Sequence, residues 1–491
     1  MFVHDIFRQN DPSSIAFLDE KNITYGQVAT KIDSYRNYFH HLGIATGENV
    51  GLLSRNCAEY IYAYLALTSL GAIVVPINFQ LSEREIAFII KDANIKHLIT
   101  KEQYDLANNL AVLNYTENLI QLLISDIDII AANFLNQPAP KLPATYDAKS
   151  TCVIIYTSGT TGNPKGAMLS HENLVTNAKM FKQALDISAD DKVLCILPMY
   201  HCFAWTCSVL NPFLSGSAIY ILDNFIPKET IDKVKSLNLS VIYAVPPIYN
   251  LLLRTATKDD FSKLRVCVSG GATLPVTIAQ QFKAKFNIDI LEGYGLSEAS
   301  PVVAVNPLGK PKVGSIGKIL PGLNTKLVDD TGAEVPLGEI GELLVQGPTV
   351  MNGYYNLPEA TAKTIINGWL HTGDLAYKDA DDYYFIVDRL KDMIINNGEN
   401  IYPREIEELL YAYPGIIEAA VVGIDDPLRG QTAAAYIVMT EDSVFDKKKL
   451  KKYLAENLAI YKIPREFHQM STLPKTSTGK ILKRALSRQG K

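Results

Sequence analysis

The chain of 491 residues has little of several things that would assign a class at once. Its six cysteines, at 57, 152, 195, 202, 207 and 267, include no C-x2-C pair, and most sit in apolar runs. That argues against a zinc ribbon or a disulfide scaffold and for reduced core thiols in a cytoplasmic protein. A basic excess is missing too: 47 Lys and Arg against 52 Asp and Glu leave a net charge of −5, so nucleic acid is not expected as a partner. The N-terminus lacks a basic segment followed by an apolar run, and no signal peptide is expected. The longest uncharged stretch, Trp205 to Leu222, is interrupted by Asn211, Pro212 and Ser215-Gly-Ser. It reads as a buried helix turning into a strand, not as a transmembrane segment. Internal repeats and low-complexity tracts are also lacking.

What is present is an ordinary globular composition, 47% hydrophobic and 20% charged, over a length that exceeds one core. Helical and strand patterns alternate from about residue 48 to 300. "AEYIYAYLALTSL" is an apolar helix closed by Gly71, and the strand "AIVVPIN" follows. Ser82 and Glu85 have capping-box spacing ahead of "IAFIIKDA" and the strand "KHLIT". This rhythm predicts an α/β fold with largely parallel sheets covered by helices. The Pro-rich segment 136–145 separates two blocks, 1–145 and 146–310. Short strands with Gly and Asp turns then predict a β-rich subdomain over 311–390. A last unit of strands and helices fills 391–491, with Pro403 placed to begin the helix "PREIEELLYAY".

Three glycine-containing turns follow predicted strands. They are Tyr156–Gly166 ("YTSGTTGNPKG"), 269–275 ("SGGATLP") and 292–301 ("EGYGLSEASP"). Each alone is a common turn. Ligands of open parallel sheets bind beyond the carboxyl ends of the strands, so together they predict one nucleotide crevice. The first is not the Gly-x4-Gly-Lys-Ser/Thr loop, because Pro164 precedes Lys165 and Gly166 follows it. Its hydroxyls and free N–H groups nevertheless suit phosphate oxygens, with Lys165 as a point charge. Tyr294 can stack on a base. Glu298 is an oxygen ligand suited to Mg²⁺, or simply a helix cap.

With "HTGDL" (371–375), "DRLKDMI" (388–394) and "PKTSTGKILKR" (474–484) added, the chain resembles the adenylate-forming superfamily over nearly its whole length. That superfamily comprises acyl-CoA synthetases, luciferases and peptide-synthetase adenylation domains, and the likeness is greatest to medium- and long-chain fatty acyl-CoA synthetases. The resemblance implies a large N-terminal domain (1–390) of two parallel-rich α/β sheets plus a small β subdomain. A small, mobile α+β C-terminal domain (391–491) completes it. It further implies that a carboxylate attacks the α-phosphate of MgATP to give an acyl-adenylate and pyrophosphate, and that the thiol of coenzyme A then displaces AMP.

By the same resemblance Thr157, Ser158, Gly159, Thr160, Thr161, Gly162 and Lys165 hold the β- and γ-phosphates. Gly270, Gly271, Ala272, Glu292, Gly293, Tyr294 and Gly295 wall the adenine and acyl sites. Ser297 stands beside the α-phosphate where Thr is more frequent, and Glu298 is the Mg²⁺ ligand. Asp374 and Arg389 contact the ribose, Lys391 marks the hinge, and Lys480 is a mobile lysine that enters the site for adenylation. "LPMYHCFAW" (197–205) resembles the segment lining the acyl pocket, with His201 either its gate or a hydrogen-bonded core histidine. No Asp or Glu occurs from Met199 to Leu222 to pair an ammonium, which argues against an amino acid. A medium- or long-chain fatty acid is the preferred substrate and an aryl acid the second. Val241, Tyr243, Val245 and Ile248 are either tunnel wall or plain core. The lysines of 447–452 form a solvated helix face or a surface for an acidic acyl carrier protein, which would replace coenzyme A as acceptor. The expected location is cytoplasmic or at the periphery of a membrane.

Overall fold

The computed structural model describes residues 1–157, 164–440, 442–475 and 481–486. Ser158, Gly159, Thr160, Thr161, Gly162 and Lys480 therefore lie outside the described residues.

The apolar strand–helix alternation folds into two large sheets. The seven-stranded one has a parallel centre of Asn49–Leu53, Ile73–Pro76, His97–Thr100, Ile120–Leu123 and Thr151–Thr157, with Lys165–Ser170 and Gly353–Tyr354 added antiparallel at one edge. The nine-stranded one runs parallel through Ile15–Phe17, Ala218–Ile221, Lys192–Cys195, Val241–Ala244, Val266–Ser269 and Ile290–Gly295. Its flanking strands, Ile23–Thr24 at one side and Val302–Val305 and Lys318–Ile319 at the other, are antiparallel. Helices cover these sheets on both faces, which is why strands such as Val241–Ala244 are apolar and buried at every position. The connecting helices start and stop on local signals. Ser82 and Glu85 form the expected capping box of Glu83–Asp92, and Ala58–Ser69 is followed by Gly71 at φ +76°. The stretch from Trp205 is a π-helical turn (Trp205–Leu210), then an α-helix (Asn211–Ser215), then the strand Ala218–Ile221.

Beyond residue 319 the sheets are small. Asn324–Val328, Gly341–Gln346, Trp369–Lys378, Ile365–Ile366 and Tyr384–Arg389 make an antiparallel sheet of five. The C-terminal unit is another five-stranded sheet whose core, including Ile406, Leu410, Val421, Ala435, Leu450 and Leu454, is its own. Helices Pro403–Ala412, with Pro403 at its first position, and Lys447–Asn457 supply part of that core. The molecule is thus a large N-terminal assembly of sheets with a smaller C-terminal domain. No helix among the described residues is long and apolar enough to cross a membrane.

Two expected turns take a different form. The strand Thr151–Thr157 does not lead into a helix but returns as the antiparallel strand Lys165–Ser170, with Thr157 opposite Lys165. Pro164, which cannot donate into a helix, stands at the return. Glu292–Gly295 is not a turn beyond its strand either. It continues the strand, because Gly293 and Tyr294 find antiparallel partners in Val305 and Ala304. Gly295 must be glycine here, since a Cβ would collide with the Pro301 carbonyl.

Candidate active site

Strands Val266–Ser269 and Ile290–Gly295 lie side by side and parallel, with Ser269 opposite Glu292. Their carboxyl ends deliver Gly270–Ala272 and Glu292–Gly295 to one edge. Gly271 takes φ +77°, and a Cβ on Gly270 would stand 3.2 Å from the Phe203 ring. Across from them Asp374 and Arg389 are register partners on neighbouring strands. Arg389 Nε lies 3.2 Å from Asp374 Oδ1, and Tyr294 Oη donates to Asp374 Oδ2 at 2.5 Å. Burial, with the Asp374 carboxylate beside it, pushes the Tyr294 phenol well above its ordinary value, so it remains a donor. Gly271, Ala272, Glu292, Gly293, Tyr294, Gly295, Asp374, Arg389 and Lys391 all line one cleft of about 920 Å³ between the large and small domains. Burial and the neighbouring Arg389 cation lower the Lys391 amine. Lys475 and Ile481, the described residues on either side of 476–480, line the same cleft.

Glu292 is unusual. It is buried, and burial pushes its carboxyl up to about 7 despite the opposing pull of Arg404. Oε1 accepts the Leu274 N–H at 3.2 Å and lies 3.9 Å from Arg404 Nη2. Oε2 is buried without a hydrogen-bond partner among the described residues. Arg404 comes from the C-terminal domain. Its guanidinium also donates to Ile386 O at 2.6 Å and stands 3.8 Å from Glu408, while its backbone N–H donates to Asp388 Oδ2 at 2.9 Å. Lys483 pairs with Glu407 at 2.7 Å in the same interface.

Thr157, Lys165, Gly270, Ser297, Glu298 and His201 are not among the residues lining that cleft; they form a group adjoining it. Tyr354 joins two of them: its hydroxyl donates to Glu298 Oε1 at 2.8 Å, and Lys165 Nζ lies 5.1 Å over its ring. The backbone closes the same junction, with Tyr355 N–H on Gly166 O at 2.7 Å and Met351 N–H on Glu298 O at 2.9 Å. Thr157 Oγ1 donates to Lys165 O at 3.4 Å. His201 Nδ1 accepts the Phe203 N–H at 3.2 Å and caps the turn Cys202–Ala204, which leaves the proton of the neutral ring on Nε2. Ser297 Oγ lies 3.2 Å from Cys202 Sγ.

No cluster of three His, Cys, Asp or Glu side chains suited to a metal occurs among the described residues. Glu298 still fits Mg²⁺, which is commonly held by one or two carboxylates together with substrate phosphates and water. It is half-buried, oriented by Tyr354, and neutralised by no salt bridge among the described residues.

Sequence reasoning missed Tyr354 and Arg404. Gly353-Tyr-Tyr was a weak signal for the first. The second had a better one: Arg404 is the second residue of a helix, where the macrodipole disfavours a cation. The four tunnel candidates are core. Val241 and Tyr243 are fully buried, Val245 nearly so and Ile248 partly, and the Tyr243 ring packs on Phe181 at 5.6 Å. None of them lines the cleft. All six cysteines are unpaired and five are buried.

Two family models match: AMP-binding enzyme over residues 6–355, and AMP-binding enzyme C-terminal domain over 405–480. A feruloyl-CoA synthase of Amycolatopsis sp is 35% identical over 471 residues, covering 95% of this chain and 94% of that protein. A long-chain-fatty-acid–CoA ligase of Bacillus subtilis (strain 168) is 33% identical over 512 residues, covering 97% and 91%. The crystal structure of ATP-bound MatB from Rhodopseudomonas palustris superposes with a TM-score of 0.92 at 28% identity, covering 100% of this chain and 99% of that one. Its apo structure, at the same identity and coverage, gives 0.82.

Proposed function

The chain belongs to the AMP-binding enzyme family and is an AMP-forming acid–CoA ligase, and from that premise we propose how its own residues divide the work. Asp374, held by Tyr294 and Arg389, accepts the ribose hydroxyls, and Gly270–Ala272 and the Tyr294 ring wall the adenine. Ser158, Gly159, Thr160, Thr161 and Gly162, flanked by Thr157 and Lys165, hold the β- and γ-phosphates. Ser297 donates to the α-phosphate. Glu298 is the protein ligand of Mg²⁺, which when bound neutralises phosphate charge. A substrate carboxylate oxygen attacks the α-phosphorus and the bond to the bridging oxygen breaks, releasing pyrophosphate. Lys480 offsets the negative charge brought together in that step. The thiol of coenzyme A then attacks the acyl carbonyl, losing its proton, and AMP departs. The division near residue 390, with Lys391 as hinge, lets the C-terminal domain serve both steps. The higher TM-score to ATP-bound than to apo MatB supports reading the present domain arrangement as the adenylating one.

The observation that carries this reading is the Tyr294–Asp374–Arg389 constellation inside the interdomain cleft. For the acid, the packing favours the compact aryl alternative. Small-molecule pockets are largely pre-formed, and Val241, Tyr243 and Val245, three of the four candidates for an alkyl tunnel wall, are closed core. A fatty acid is the second reading, favoured by the apolar wall Pro301–Val303 and the similarity to the B. subtilis ligase. ATP–pyrophosphate exchange over a panel of benzoates, hydroxycinnamates and C6–C16 fatty acids tests this, with aryl acids expected to turn over fastest. Exchange with fatty acids alone would reverse the order. Competition between coenzyme A and an acyl carrier protein for the adenylate then decides the acceptor, with coenzyme A expected.

A further inference from the structure

Ser297 carries a hydroxyl without the γ-methyl that a threonine would bring. A β-branched side chain is stiff at χ1, whereas serine exchanges rotamers freely unless something outside it chooses one. Here the Cys202 thiol stands against it, Sγ to Oγ 3.2 Å, within the reach of a sulfur hydrogen bond. Cys202 is 2% exposed, and burial pushes its thiol up to about 12. It therefore keeps its proton at any working pH and is no nucleophile. With the S–H donating to Oγ, the serine O–H is left to point at a third group. The backbones that carry the two side chains are tied together separately, since Thr206 Oγ1 donates to Ser300 O at 3.2 Å and Ser300 N–H to Ser297 O at 3.2 Å.

We propose that Cys202 is a positioning residue for adenylation: its thiol fixes the Ser297 hydroxyl in the rotamer that donates to the α-phosphate, taking over the part a γ-methyl would play. The proposal rests on the reading of Ser297 given above. It also makes the thiol and the methyl interchangeable, because each serves to restrict the rotamers open to the hydroxyl of residue 297.

The test is ATP–pyrophosphate exchange on the full chain, with kcat and KM for ATP measured separately and the thermal midpoint recorded for each variant. Cys202→Ala should lower kcat about tenfold, the worth of one positioned hydrogen bond, with KM for ATP within about twofold. Cys202→Ser, which keeps a donor, should recover most of the loss. Cys202→Ala/Ser297→Thr should recover it as well while its thermal midpoint stays at that of Cys202→Ala, so that the recovery is not restored packing. If Cys202→Ala is poorly folded, the serine and double variants decide between the two. Wild-type kcat in Cys202→Ala, or no rescue in either companion, overturns the proposal while leaving the function intact. Full activity in Ser297→Ala overturns the reading of Ser297 and the proposal with it. A wild-type protein that exchanges pyrophosphate with no acid overturns the functional reading itself.

Discussion

Replacing Arg404 by methionine should produce a stability deficit that is small at pH 6.5 and grows steeply above pH 7. The reason lies in Glu292, whose carboxyl is pushed from 4.5 to about 7 with the guanidinium still 3.9 Å away. A group whose folded pKa is raised favours folding below its unfolded value and loses that advantage as pH rises through the folded one. In the wild type the loss is complete just above pH 7, because Arg404 holds the ionised form. Without the cation Glu292 keeps its proton to higher pH, and the cost keeps mounting at about 1.4 kcal/mol per pH unit. A guanidinium at this distance contributes about 4 kcal/mol at an effective dielectric constant of 20, which bounds the total. Glu408, near the same guanidinium and itself pushed up by burial, adds with the same sign. The unpaired Ile386 carbonyl adds about 1 kcal/mol independent of pH. Thermal unfolding of Arg404→Met against wild type at pH 6.5, 7.5 and 8.5 measures this, with Arg404→Met/Glu292→Gln as control. The single variant's deficit should widen by about 1–2 °C per pH unit and the double variant's by clearly less, the remainder coming from Glu408. A deficit independent of pH in the single variant would refute the reasoning.

Two further outcomes are expected. Tyr354→Phe keeps the ring under Lys165 but frees Glu298 from its donor, so half-maximal exchange should require about three- to tenfold more Mg²⁺; an unchanged Mg²⁺ titration would remove Tyr354 from the site. Burial holds His4 and His171 down to about 3, so the folded chain refuses protons that the unfolded chain accepts below 6.5. Stability should therefore fall by about 1–3 kcal/mol for each unit between pH 6.5 and pH 4, and His4→Leu should shallow that slope in denaturant titrations.

Much of this was legible because it is local. The Ser82–Glu85 cap, Pro403 at a helix start and the closed helix before Gly71 each follow from residues within one turn of one another. The parallel sheets followed from the rhythm of such elements. The form of the glycine segments was not, because Thr157–Lys165 and Gly293–Val305 pair across a turn whose return strand no periodicity marks. Arg404 and Glu292 are more than a hundred residues apart and meet only after the C-terminal domain has docked. Val241, Tyr243, Val245 and Ile248 stayed undecided between tunnel and core for a related reason: an apolar strand looks the same in sequence whether it faces a cavity or a phenylalanine such as Phe181.

The order of strands also sets a timetable for synthesis. Ile15–Phe17 leaves the ribosome early but pairs with Ala218–Ile221, and Lys165–Ser170 gains its outer neighbour only when Gly353–Tyr354 emerges about 180 residues later. At 5–20 residues per second that is a wait of about 10–40 s with a strand edge open to other chains. Tyr354, whose hydroxyl donates to Glu298, is thus also part of the strand whose arrival covers the Lys165–Ser170 edge of the nascent seven-stranded sheet.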